Sequence, residues 1–172
     1  MALDYRSGTT PAYEQRNTEI TLGIVKPHAY KHRIEIESMI AGSGLLIPVR
    51  KYPFLIPRSL AVLHYEEHFG KPFYNALIEM MTSGPSEIMI VEGPNAISRL
   101  SVLTGATDPR NAEPGTIRNK FGDKDGRIMY NAFHRTFAEN PDAAKRAVKR
   151  EINLYFTREE LPEHVTRLLD EL

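Results

Sequence analysis

Apolar positions along this chain fall into short β-type runs and longer helical ones, separated by clear punctuation. Ile20 to Val25 (ITLGIV) is a compact apolar run stopped by Lys26-Pro27, which predicts a strand with Lys26 at its end. Ile34, Ile36, Met39 and Ile40 recur at helical spacing, so Lys31 to Ala41 reads as a helix ended by Gly42 and Gly44. Leu45 to Leu55 reads as a second strand. Pro57-Arg58-Ser59 opens a helical stretch to Phe69, and Phe73 to Met81 continues after Gly70-Lys71-Pro72, giving a helical hairpin. After the turn at Ser83-Gly84-Pro85, Glu87 to Glu92 (EIMIVE) predicts a strand and Asn95 to Leu103 a short helix. Ile128 to His134 supplies a fourth strand. Asn140 is a good N-cap with Pro141 at the first helical position, leading a helix through Leu154, and Leu161 to Leu172 forms a short tail helix.

Two segments stand outside this pattern. Residues 1–18 are polar and aperiodic and read as an arm that is disordered or docks on a neighbour. Gly105 to Gly126 holds only two large apolar residues, Ile117 and Phe121, so no core is expected from it. A compact domain seldom keeps such a loop without a use, which makes it the first place to look for a binding site.

Composition narrows the classes. A length of 172 residues suits one ordinary domain, and 22 basic against 22 acidic residues leave no net charge to attract a polyanion. The densest basic run, Lys145 to Arg150, lies on one helix and reads as a solvated face, so no nucleic-acid partner is expected. With no cysteine there is no disulfide framework, thiolate zinc site or cysteine nucleophile. The start, MALDYRSGTT, has no apolar run of signal-peptide length, and no later stretch approaches a membrane span; a soluble, cytoplasmic protein is the expectation.

Candidate chemistry gathers at element ends. His134 closes the predicted fourth strand in NAFHRT, where imidazole could act as a nucleophile near neutral pH. The other five histidines, His28, His32, His64, His68 and His164, read as surface or satisfied core residues. His64 and His68 have the i, i+4 spacing of a metal pair, but HYEEH is not HExxH and no third ligand is visible, so no metal site is assigned. GATDPRNAEPGTIR offers Thr107, Thr116, Arg118 and glycine-freed amides that could cradle phosphate, or simply a rigid surface loop. Lys26 is either a snorkelling surface charge or a phosphate ligand. The P-loop signature and the protein-kinase motif set are both absent.

The order of four stretches decides between these alternatives. They are the strand ending in Lys26-Pro27, HYEEHFGKPFY with MTSGPSEIMIVEG, LTGATDPRNAEPGTIR, and Asn131-Ala132-Phe133-His134 with Glu151-Ile152 beyond. Together, from about Ile20 to Phe156, they resemble the nucleoside diphosphate kinases. The resemblance implies an α+β, ferredoxin-like βαββαβ sandwich, an antiparallel sheet covered by helices, with nucleotide held between the helical hairpin and the long loop. The implied domain spans 19–157, between the arm and a tail at 158–172. It also implies ping-pong transfer from a nucleoside triphosphate to a nucleoside diphosphate through a phosphohistidine on His134, oriented by Glu151. Lys26, Tyr65, Thr107, Arg118 and Asn131 would contact phosphate and sugar, and Phe73 would lie against the base. Mg²⁺ would arrive with the nucleotide, held mainly by its phosphates, and four or six copies would assemble.

The chain departs from the family pattern at two places. Arg135-Thr136-Phe137 stands where the family has Gly-Ser-Asp, with Thr136 able to keep the serine's hydroxyl role. If that glycine's backbone were left-handed, Arg135 would cost about 1 kcal/mol. A second phosphate-facing arginine is replaced by Ser101, and Arg99 would point elsewhere. A nucleotide-binding interaction module with weak or lost kinase activity is the alternative these departures suggest, and a purely structural ferredoxin-like protein is the third reading.

Overall fold

In the computed structural model of the chain, which describes residues 18–125, 131–136, 138 and 140–172, the central apolar runs become neighbouring strands. Strand β1 (Thr18–Val25) and strand β3 (Pro85–Pro94) pair antiparallel, with Ile24 opposite Ile88 and Leu22 opposite Ile90. Strand β2 (Leu46–Leu55) adds to the far side of β3 and strand β4 (Phe133–Arg135) to the free side of β1, both antiparallel, giving the order β2-β3-β1-β4. Joined by the helices between them, these strands form the expected ferredoxin-like α+β sandwich.

Strand periodicity divides the core into two layers. Ile20, Leu22, Ile24, Ile88 and Ile90 face one side. They pack there against helices α3 (Tyr74–Met81), α6 (Pro141–Tyr155) and α7 (Glu163–Asp170), and against Ala61 of α2 (Arg58–His64). Val25, Met89, Val91 and Phe133 face the other side, under α1 (Arg33–Gly42) and α4 (Ala96–Thr104). The tail helix therefore belongs to the first core, through buried Val165 and Leu169.

Several boundaries differ from the sequence expectation for local reasons. The first helix is preceded by a 3-10 turn, Pro27–His32, because Pro27 fixes the backbone directly after the strand. The helical stretch expected to reach Phe69 breaks at His64 and resumes as a 3-10 turn, Glu66–His68. Contrary to the expectation that no core would form from the loop after Gly105, it contains helix α5 (Ile117–Phe121). Thr116 caps it by accepting from the Asn119 amide, and Ile117 is fully buried in the second layer. Only the last two residues of the expected Ile128 to His134 strand lie in β4, Asn131 and Ala132 precede it, and 128–130 lie outside the described residues. Apart from Thr18 the expected N-terminal arm also lies outside them, as does Phe137.

One close approach places the end of β4. A Cβ on Gly23 would stand 2.6 Å from Cζ of Phe133, so the absence of a side chain there leaves room for the phenyl ring against β1. Fully buried Phe133 anchors β4, and the next residue, His134, turns to the opposite face beside Ile24.

Candidate active site

His134 leaves the sheet on the side covered by α2 and α6. Its Nε2 lies 3.2 Å from Oε2 of Glu151, on the inward face of α6. Thr136 Oγ1 donates to the same carboxylate oxygen at 2.5 Å. Burial alone would push the Glu151 carboxyl up, but the charge of and hydrogen bond from His134, with His64 and the Thr136 hydroxyl, outweigh it and hold it at about 2. A carboxylate therefore stands fixed behind one nitrogen of His134, leaving Nδ1 as the nitrogen not engaged by Glu151.

The cations come from the other elements. Lys26 is carried to the strand end by β1, where its backbone N–H donates to Ala132 O at 3.0 Å and its Nζ donates to Asn131 Oδ1 at 2.7 Å. Burial and the neighbouring Arg118 lower its ammonium to about 7. Arg118 sits in the first turn of α5, donating from Nε to Phe133 O at 3.0 Å and from Nη1 to Gly105 O at 3.2 Å. Burial and Arg135 lower its guanidinium to about 10. These groups destabilise one another's charge, and an anion brought among them would relieve that cost.

Tyr65 follows α2 and turns its ring perpendicular to that of His134, with centroids 6.0 Å apart. Its buried hydroxyl has no hydrogen-bond partner among the described residues, and burial followed by Glu151 raises its pKa. His68 stacks on Tyr65 and meets the edge of Phe73, which is 38% exposed at the start of α3. Thr107 is exposed, two residues beyond the Gly105 carbonyl that Arg118 grips.

The structure thus brings His134, Glu151, Thr136, Lys26, Asn131, Arg118 and Tyr65 together, and sets Phe73 and Thr107 on more exposed ground. Arg135 needs no left-handed backbone: it is an ordinary strand residue opposite Gly23, and among the described non-glycine residues only Asn95 has a positive φ. Arg99 turns away as expected, donating to the carbonyls of Ser43 and Pro94.

The chain's sequence is matched by the family model described as nucleoside diphosphate kinase over residues 19–161. The nucleoside diphosphate kinase of Thermococcus kodakarensis is 44% identical over 151 residues, 87% of this chain and 83% of that protein. The chain belongs to the nucleoside diphosphate kinase family. The Pyrococcus furiosus nucleoside diphosphate kinase is 43% identical over 148 residues, 85% of this chain and 88% of that protein. Among solved structures, a halophilic nucleoside diphosphate kinase from Halobacterium salinarum in complex with CDP superposes with a TM-score of 0.73 at 32% identity. The match covers 87% of this chain and 97% of that one. The Aquifex aeolicus nucleoside diphosphate kinase gives 0.72 at 30% identity, over 84% and 99%.

His64 opens the stretch HYEEHFGKPFY, but nothing in the sequence showed that it would reach His134. His64 is 4% exposed, and its ring meets that of His134 edge to face with centroids 4.4 Å apart. Its Nδ1 lies 2.9 Å from the Tyr155 hydroxyl. The i, i+4 pair with His68 dissolves because α2 ends between the two, and it is His134 and Glu151 that His64 joins instead. A histidine at the end of an amphipathic helix looks the same in sequence whether it faces a pocket or merely fills the core.

Proposed function

We propose that the chain is a phosphotransferase of the nucleoside diphosphate kinase type, moving the γ-phosphoryl of a nucleoside triphosphate to a nucleoside diphosphate by way of His134. The single observation that carries this reading is the ordered chain Thr136–Glu151–His134 at a strand end facing buried Lys26 and Arg118. With Nε2 held by the carboxylate, the ring's proton resides there and Nδ1 keeps its lone pair. Attack by Nδ1 on the γ-phosphorus forms an N–P bond, breaks the bond to the bridging oxygen and releases the diphosphate. A second diphosphate reverses the step and leaves as the triphosphate.

The residues' roles follow from where charge develops. The transition state asks for positioning and charge stabilisation, which Lys26 and Arg118 provide at the phosphoryl oxygens and Glu151 at the imidazole. Tyr65 and Asn131 would bond sugar and phosphate, and Thr107 a phosphate oxygen. Phe73 would face the base, accepting any base because each presents a π-face. The described groups fit Mg²⁺ carried by nucleotide: Glu151, the carboxylate beside His134, is committed to His134 and Thr136, and the phosphates would hold the ion with its waters. When bound it supplies charge neutralisation between phosphates.

A binding module without catalysis has no need of a carboxylate fixed behind a histidine, so this arrangement favours the kinase reading. Incubation with γ-labelled ATP and Mg²⁺ should give an acid-labile, alkali-stable label on the protein, discharged by any nucleoside diphosphate. His134→Ala should lose it entirely. An unlabelled wild-type chain under turnover conditions would sink the assignment.

The open edge of β2, with Leu46 and Leu55 exposed at 64% and 70%, supports assembly of copies into a tetramer or hexamer. Among the described residues no helix is long and apolar enough to cross a membrane. We place the activity in the cytoplasm, where both substrates are abundant.

A further inference from the structure

We infer that His64, His134 and Glu151 form a transition-metal site, and that a zinc-type cation seated there halts phosphoryl transfer by taking over the groups that orient His134. One ligand atom from each of the three side chains lies within 4.8 Å of the other two. Ligands on tetrahedral zinc stand about 3.3 Å apart, given metal–nitrogen bonds near 2.0 Å. His134 Nε2 and Glu151 Oε2, at 3.2 Å, already have that separation. His64 would close the remaining gap by a shift on the order of 1 Å, within the reach of a side-chain adjustment.

The donor set and its surroundings point the same way. Two imidazoles and one carboxylate suit zinc, cobalt or copper, whereas Mg²⁺ prefers oxygen ligands and keeps its waters, so the two classes of cation act at different places. His64 Nε2 is buried without a hydrogen-bond partner among the described residues, and phosphoryl transfer makes no use of it. Its other nitrogen faces the Tyr155 hydroxyl, and Glu151 is held by Thr136, the outer partners that fix metal ligands in orientation. Three protein ligands leave a fourth position for water or a phosphate oxygen. A cation on Nε2 of His134 replaces the negative charge behind the ring with a positive one, which withdraws electrons from Nδ1 and opposes its attack on phosphorus.

The metal site stands on geometry alone; only its inhibitory effect rests on the kinase reading, and the test separates them. Cobalt(II) added to the metal-free full chain should give the visible ligand-field bands of a tetrahedral ion at one equivalent, displaced by zinc. His64→Phe, which keeps a ring in the core, should abolish the bands; His64→Gln serves if the phenylalanine variant fails to fold by circular dichroism. Micromolar zinc should lower Mg²⁺-supported exchange by about tenfold or more in the wild type, reversed by a zinc-selective chelator, and leave the variant's own zinc-free rate within about twofold. Bands that persist in both His64 variants would put the cation at another histidine and overturn the proposal, as would their absence in the wild type. Cobalt binding through His64 in a chain without exchange activity would uphold the site and count against the kinase reading instead.

Discussion

Glu151 is held ionised by what faces it, and that makes it a source of pH-dependent stability as well as of catalytic order. Its folded carboxyl titrates at about 2, below the ordinary value of 4.5, despite burial that pushes the other way. A depressed carboxyl stabilises the fold above its unfolded pKa, and the contribution disappears as pH falls through the window from about 4.5 to 2. The linkage amounts to roughly 3 kcal/mol. Glu151→Gln should therefore flatten the acid side of a stability curve measured by urea unfolding between neutral pH and pH 3, and lower turnover about 100-fold with nucleotide binding largely kept. An unchanged acid limb would show that the carboxylate is not held by His134 in the folded chain. At this scale the motifs carried Lys26, Arg118, Asn131, His134 and Glu151, which are separated by as many as 125 residues yet come together in the fold. The contact of His64 with His134 was not readable, nor was the place of Tyr155, because each lies on a helix whose buried face accounts for it without any site. Arg135 was misleading in the opposite sense, since glycine in a family pattern suggests a backbone constraint and the strand here imposes none.

Strand β4 spans three residues, too few to hold its register by ladder hydrogen bonds alone, and the ring of Phe133 over Gly23 supplies what they lack. Gly23→Ala tests that dependence. The added carbon would meet the phenyl ring at 2.6 Å and force it off β1, carrying His134 with it. The expected cost is about 1–3 kcal/mol of overpacking, with turnover and nucleotide affinity both reduced, because Arg118 donates to Phe133 O and Lys26 to Ala132 O and Asn131, so both cations follow the displaced strand. A melting temperature and turnover both at wild-type level would show that the ring can be displaced without cost. The same element explains the weakest part of the structural reading from sequence. β1 carries ITLGIV and β3 carries IMIV, apolar runs that declare themselves, whereas β4 owes its existence to a tertiary contact that no local window records. Helix α5 is the converse case. Five residues would not form a helix alone, but the Thr116 cap and buried Ile117 hold it, and with it Arg118.

For the molecule as a whole, β2 is the strand a partner copy would cover. Among the described residues no strand pairs with its outer edge, which is interrupted by Pro48 and Pro53, where the pairing with β3 shifts register. Exposed Leu46, Leu55 and Tyr52 lie along the same strand, and Ile34 on α1 is 55% exposed. Monomers usually blunt such an edge with charge, and Arg50 and Lys51 do this only at its middle. A partner copy pairing with or packing on this strand would bury the leucines, each worth about 1.5–3 kcal/mol when fully removed from water. Leu55→Glu introduces a charge at the edge without touching either core layer. It should shift the sedimentation of the protein toward smaller species and leave the far-ultraviolet circular dichroism unchanged. Because Lys26, His134 and Glu151 all lie within one chain on the opposite half of the sheet, the dissociated variant should keep the ability to take label on His134. Its thermal stability should become independent of protein concentration while that of the wild type rises with it, since association stabilises only the folded chain. Wild-type sedimentation in the variant would exclude the β2 edge as the assembly surface.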